Sequence, residues 1–315
     1  MRAVAVRAFR TVPELMELPT PEPKDDEILI RLEAAGVNPF DWKLIDGLFE
    51  GRRPHVFPLV VGLDGAGTVA AVGGAVRRFH VGERVAGQVL HDPVGTGTYA
   101  EWTAAPERLA LARIPDGLSA RSAAALPTSG MTALGALDEL ALGRGATLLV
   151  VGASGGVGSI ATALAAASGV HVIATARPAS RGLLQGLGAA EVLDPAEGDL
   201  ADRVRRAHGD GLSGLLDAGS DRPTFARLAA LVRRGGVAVT TMFVADEAAG
   251  RIDGVRRVNL DFQPRAETLE RLFSAVVAGS LTVPVTRVLP LADGPRAIAE
   301  SRARTAVGKT VLAVR

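Results

Sequence analysis

Residues 148–159 read LLVVGASGGVGS, an apolar run that feeds a loop with glycines at 152, 155, 156 and 158. A buried strand, such a loop and a helix make a dinucleotide site. Glycine permits positive φ at the turn, Gly155 and Gly156 let the backbone approach a pyrophosphate, and Gly158 lets helix and strand pack closely. The helix start adds unpaired N–H groups and a positive dipole end. The fingerprint is Ala153-x-Gly155-x-x-Gly158, with alanine at the first position. Ser154, Gly155, Gly156, Val157 and Gly158 are therefore the expected cofactor contacts. The next strand ends ATARPASR (174–181), with no acid for ribose hydroxyls. Arg177, Ser180 and Arg181 stand where a 2′-phosphate would be held, and arginine offers a planar, permanently charged fork. This pattern predicts NADP(H) rather than NAD(H). The alternative is two solvated arginines on a surface loop.

Composition narrows the chemistry that this cofactor could serve. The chain has 315 residues, no cysteine and five histidines. Disulfides, iron–sulfur clusters, thiolate-bound zinc and a cysteine nucleophile are excluded. Formal net charge is +1 and no basic patch is interleaved with aromatics, so a small molecule is expected as partner, not nucleic acid or a membrane. The opening MRAVAVRAF alternates like a strand, and a cytoplasmic location is expected. The apolar stretch 146–176 is broken by the glycine loop and reads as strand–loop–helix–strand.

The elements that must position these residues fall into three regions. Residues 1–115 hold short runs of β-formers between Gly/Pro turns, such as EILIRLEAAGV (27–37) and GERVAGQV (82–89), and suggest a strongly bent antiparallel barrel. From 118 to 261 strands alternate with helices, which implies a parallel sheet covered on both faces. FARLAALVRRGG (225–236) reads as one of those helices. The tail returns to strands at 285–293 and 308–315, with the barrel as their natural host. The expected organisation is a barrel domain from 1–117 and 262–315, interrupted by a nucleotide domain at 118–261.

Eight motifs in order carry a resemblance: AAGVNPFDWK (34–43), FPLVVGLDGAGTV (57–69), FHVGERVAG (79–87), GTYAEW (97–102), AAALPTSGMTA (123–133), VVGASGGVGS (150–159), LGAAEVLD (187–194) and GKTVL (308–312). With these the chain resembles the zinc-independent quinone oxidoreductase, zeta-crystallin-like branch of the medium-chain dehydrogenase/reductase superfamily. The resemblance implies an α/β fold: a GroES-like β-barrel catalytic domain with an inserted Rossmann domain, in a homodimer. Zinc-dependent relatives place a cysteine ligand where this chain has Asn38 and a His-Glu pair where it has Leu63-Asp64. The expectation is therefore a zinc-free enzyme.

Members of this branch pass a hydride from NADPH to a quinone or to the C=C of an α,β-unsaturated carbonyl. Two other readings compete: a pathway-specific enoyl-type reductase, and a non-catalytic NADPH-binding structural or sensor protein. The first catalytic candidate is Asn38, whose amide could donate to a carbonyl or orient the nicotinamide carboxamide. Asn38-Pro39-x-Asp41 also reads as an N-cap, a first-turn proline and a first-turn acid. Lys43 could polarise the acceptor carbonyl, or lie solvated on a short helix. The branch often carries a tyrosine where this chain has Phe49, so the proton is expected from solvent; Tyr99 reads as structural. Phe40, Trp42, Phe49 and Phe57 could shape a flat apolar pocket. By resemblance Thr132, Phe243, Gly308 and Lys309 approach the nicotinamide cofactor. The segment after Phe243, ADEAAGRIDGVRR, reads as a mobile lid.

Overall fold

The computed structural model describes residues 1–246 and 251–314 and divides them into two compact units. The first comprises Met1–Met131, Pro264–Ala278 and Val285–Arg315; the second comprises Thr132–Gln263 and Gly279–Pro284. Each is described by itself.

The first unit opens with β1 (Arg2–Val6), β2 (Glu14–Glu17), β3 (Glu27–Gly36), α1 (Pro39–Ile45), β4 (His55–Val60), β5 (Asp64–Val72), β6 (Arg84–Gln88), β7 (Val94–Thr96), β8 (Trp102–Pro106) and β9 (Leu111–Arg113). Two helices follow, α2 (Ala120–Ala124) and α3 (Pro127–Leu140), the latter continuing past Met131. In the second unit, β10 (Thr147–Val151), α4 (Gly156–Ala167), β11 (His171–Thr175), α5 (Arg181–Gly186), β12 (Glu191–Leu193), α6 (Leu200–Ala207) and β13 (Leu212–Asp217) alternate strictly. They are followed by α7 (Arg222–Ala229), β14 (Val232–Thr240), β15 (Arg251–Ile252) and β16 (Val255–Asn259). The chain then returns to the first unit with α8 (Ala266–Val277), β17 (Val285–Pro290), α9 (Gly294–Arg302) and β18 (Lys309–Ala313).

The barrel unit has two sheets. One runs β2-β1-β4-β7, the other β17-β18-β3-β5-β6-β9 with β8 added on β3. Strand β3 is the hub. It is long because EILIRLEAAG keeps β-formers and small residues in register with three partners, β5, β8 and β18. Val4, Ile28, Leu32, Leu59, Val85 and Leu312 meet in its core. Each such side chain contributes about 1.5–3 kcal/mol on burial. Through β18 the C-terminus is built into the barrel, since Val311, Leu312 and Ala313 pair with Gly36, Ala35 and Ala34.

The second unit is a parallel sheet, β12-β11-β10-β13-β14-β16, with the short β15 antiparallel at its edge. This is the 3-2-1-4-5-6 order of a doubly wound nucleotide fold, with the order reversing between β10 and β13. Helix α7 ends at Ala229, and Val232 already pairs with Leu212. The helix expected to run to 236 is therefore cut short by strand. Within that strand Gly236 is required: a Cβ there would sit 2.7 Å from the Ser213 carbonyl oxygen, an approach only glycine allows. Of the segment read as a lid, residues 247–250 lie outside the described residues, and Val255–Asn259 is sheet paired with β14.

Candidate functional site

In the second unit the glycine loop joins β10 to α4. Gly152 adopts φ +73° and its N–H donates to Thr175 Oγ1 at 3.1 Å, which ties the loop to the end of β11. Gly158 is required by packing: a Cβ there would meet the Gly152 oxygen at 2.4 Å and the Ala153 Cα at 2.7 Å. Gly155 is different. A Cβ there meets nothing nearer than 3.4 Å, so packing does not demand glycine and the backbone stays open. Gly155 is also the N-cap of α4 and has no side chain to satisfy the first-turn amides. Those amides, the helix dipole and the open Gly155 backbone fit a dinucleotide pyrophosphate. Ser154, Gly156 and Val157 are half-buried around this opening.

At the end of β11, Arg177 and Arg181 are exposed, and among the described residues neither guanidinium has an ion-pair or hydrogen-bond partner. Ser180, expected beside them, is buried instead, because the 3-10 turn Pro178–Ser180 rotates it inward. Thr132 is half-buried on α3. Phe243 lies past the end of β14, 61% exposed with φ +56°. Sequence reasoning missed Asp217. This buried acid ends β13, accepts from Ser220 N at 3.1 Å and Thr240 Oγ1 at 2.9 Å, and so joins the loop ends after β13 and β14. An acid at the carboxyl end of a strand beside the switch point was the available signal.

In the first unit, the residues around Asn38 form a buried polar network. Pro39 opens α1, and Asp41 accepts from Asn38 N at 2.7 Å, as the helix-start pattern predicts. The Asn38 side chain turns into the protein. It is 1% exposed; Nδ2 donates to Asp64 Oδ2 at 2.9 Å and Oδ1 accepts from Lys309 Nζ at 2.8 Å. The amide that could have served a substrate carbonyl is thus engaged internally. Asp64 also accepts from Thr128 N at 2.9 Å and Thr128 Oγ1 at 2.6 Å. Tyr99 OH donates to Asp41 Oδ2 at 2.6 Å. Burial pushes the Asp41 carboxyl up to about 7, against the lowering pull of Tyr99 and Asn38. Burial likewise raises Asp64, opposed chiefly by the Lys309 charge, and lowers Lys309, opposed by Asp64 and Asp41. Lys309 follows Gly308, whose φ of +61° turns the chain inward. The Lys309 side chain is buried, so it does not reach out to a cofactor as expected.

The aromatics separate into three places. Phe40 and Phe49 meet at 5.8 Å beside Leu44, Leu63, Leu90 and Val94. Trp42 packs on the barrel core, with Arg302 and Lys43 over its ring at 5.4 and 5.7 Å. Phe57 stacks edge-on against Phe9 at 5.1 Å. So the four aromatics expected in one pocket reduce to one pair, Phe40 and Phe49. Lys43 is exposed.

No group of three His, Cys, Asp or Glu among the described residues is arranged to hold a metal. Around Asn38 the donor set is an amide, a carboxylate and an ammonium within bonding distance. A metal cation placed there would face the Lys309 charge, so the residues do not fit zinc. No helix among the described residues is long and apolar enough to cross a membrane.

Comparison with known proteins agrees with both units. The pattern of the Alcohol dehydrogenase GroES-like domain matches residues 24–116, and that of the Zinc-binding dehydrogenase matches residues 156–256. The chloroplastic quinone-oxidoreductase homolog of Spinacia oleracea is 40% identical over 185 residues, 57% of this chain and 55% of that protein. The match thus spans just over half the length of that curated relative. The quinone oxidoreductase of Coxiella burnetii has a TM-score of 0.89 over 100% of this chain and 99% of that one, at 27% identity. A mycobacterial protein solved complexed with NADPH has a TM-score of 0.84 and 31% identity, covering 99% of this chain and 100% of that one. A glycine-loop Rossmann sheet and a barrel closed by the chain's own C-terminus define a medium-chain dehydrogenase/reductase. The chain belongs to that family, among its quinone oxidoreductase-type members.

Proposed function

We propose that this chain is an NADPH-dependent, zinc-free reductase that passes a hydride to a quinone or to the C=C of an α,β-unsaturated carbonyl. The observation that carries the reading is the exposed arginine pair, Arg177 and Arg181, without partners among the described residues, next to a glycine loop open to a pyrophosphate. The mycobacterial relative complexed with NADPH and the quinone oxidoreductase names of the other relatives support it.

The nicotinamide supplies the hydride when bound; the chain binds and orients. The first turn of α4 would hold the pyrophosphate, and the guanidinium groups of Arg177 and Arg181 the 2′-phosphate. Phe40 and Phe49 offer a flat apolar wall for a planar acceptor, and Lys43 an exposed cation for negative charge developing on its oxygen. Tyr99 is fully buried and bonded to Asp41, so it is not placed to protonate an acceptor. A hydroquinone or enolate anion can take its proton from water. The zinc-free part rests on the donor set around Asn38. Homodimeric assembly and a cytoplasmic location belong to the same reading and are checked by sedimentation and fractionation.

The test is NADPH oxidation against 1,4-benzoquinone, 9,10-phenanthrenequinone and medium-chain enones, with NADH in parallel. Turnover of at least one acceptor, with NADPH preferred, is expected. Tight NADPH binding with no turnover across the panel would replace this reading with the non-catalytic one.

A further inference from the structure

Lys309 is 1% exposed, and burial of an ammonium is costly unless every donor is satisfied. Here it is: Nζ donates to Val37 O at 2.9 Å, Asn38 Oδ1 at 2.8 Å and Ser129 Oγ at 3.1 Å. These acceptors come from the β3–α1 junction and from the first turn of α3, so one cation joins β18 to both. On the other side of the Asn38 amide lies Asp64. The order is ammonium, amide oxygen, amide nitrogen, carboxylate. A flipped amide would set NH2 against the ammonium and oxygen against the carboxylate, so this network admits one orientation. The two charges also polarise the amide between them, which strengthens both bonds. Asp41, bonded to the Asn38 backbone, completes the fixing of the helix start.

We propose that Lys309 is a positioning residue: by holding the Asn38 amide it fixes the start of α1, and with it Phe40 and Lys43, which that helix presents to the acceptor. The inference rests on the reductase reading above. It differs from a cofactor contact because no donor of Lys309 is left over, and from simple packing because its bonds tie β18 to the β3–α1 junction and to α3, with the Asn38 amide bonded on to the buried Asp64.

Three variants test it. Lys309→Met keeps the shape and deletes the charge. Its acceptor kcat/KM should fall by at least about tenfold, and adding Asn38→Ser should cost less than about twofold more, because the two side chains act as one unit. Its NADPH Kd, read by fluorescence titration, should stay within about twofold of wild type. Lys309→Ala leaves a slot the size of n-propylammonium. That cation should raise the Tm of the variant by mass action while 1-propanol, the same length and neutral, should not, and wild type should respond to neither. Ser129→Ala, a small deletion expected to fold, should lower acceptor kcat/KM by about threefold with NADPH Kd unchanged. Wild-type turnover in Lys309→Met, a rise of about tenfold or more in NADPH Kd, or a Tm indifferent to the amine would each overturn the proposal. If neither lysine variant folds, unchanged kcat/KM in Ser129→Ala overturns it. If wild type reduces no acceptor, the reductase reading fails, and the amine-dependent Tm still judges the cation slot.

Discussion

The Tyr99 hydroxyl donates to Asp41 Oδ2 at 2.6 Å across 58 residues of sequence, and both side chains are fully buried. The carboxyl is pushed by burial from an ordinary 3.8 to about 7. The folded state thus keeps a proton that the unfolded chain releases near 3.8. Stability from Asp41 is fully present below that value, is lost as pH rises, and levels off above about 7. Asp41→Asn keeps an oxygen for Tyr99 and for Asn38 N and cannot ionise. Between about pH 5.5 and 8.5 the wild type should lose on the order of 2 kcal/mol relative to Asp41→Asn. Paired Tm–pH profiles measure this, and parallel profiles would show that Asp41 does not titrate in that window.

The first turn of α4 packs against the Gly152–Ala153 backbone through Gly158. Gly158→Ala would place a methyl 2.4 Å from the Gly152 oxygen, a backbone atom that cannot step aside cheaply. Either α4 shifts or the loop opens, at a cost of about 1–3 kcal/mol. Gly155→Ala meets nothing in the protein nearer than 3.4 Å. It should therefore leave Tm near wild type while raising NADPH Kd, because the methyl fills the approach to the pyrophosphate. Thermal melts and a cofactor titration of the two variants separate packing from binding.

These two loci differ in how far the sequence alone exposes them. The glycine loop is legible because its requirements are local: strand, turn and helix are consecutive, from Thr147 to Ala167. The helix start at Asn38-Pro39-x-Asp41 is legible for the same reason. The partner of the Asn38 side chain is not, since Lys309 is 271 residues away and reaches it only because β18 pairs with β3. The burial of Ser180 depends on a 3-10 turn that no periodicity announces. The extension of α7 to 236 failed because Arg233 and Arg234 fit a helical pattern, whereas the strand is set by Val232 pairing with Leu212. The split of Phe40 from Trp42 was within reach of the sequence. Residues two apart on a helix point to different faces, and only one of those faces can meet the barrel core.

That split gives a prediction of its own. Phe49 faces Phe40 and carries the Arg53 guanidinium over its ring at 5.1 Å, while Trp42 packs on the barrel core. Phe49→Ala should raise acceptor KM by about tenfold with a small effect on Tm, since one wall of a flat apolar site is worth about 1–2 kcal/mol. Trp42→Ala should cost about 2–3 kcal/mol of stability and leave acceptor KM near wild type. Steady-state kinetics and melts on both variants check the assignment, and the reverse pattern would move the acceptor wall to Trp42.

Cofactor choice should reside in Arg177 more than in Ser180. Arg177 is exposed at the carboxyl end of β11 with no partner among the described residues, whereas the Ser180 side chain is buried. A guanidinium–phosphate bond is charge-assisted, and removing it should cost about 1.5–3 kcal/mol. Arg177→Ala should therefore raise KM for NADPH by about ten- to a hundredfold and leave KM for NADH unchanged, because NADH has no 2′-phosphate to lose. Arg177→Lys keeps the charge without the fork and should fall between the two. Ser180→Ala should leave the ratio of the two KM values where it is. Equal losses with NADPH and NADH in Arg177→Ala would mean that the residue shapes the adenosine site as a whole and does not read the phosphate.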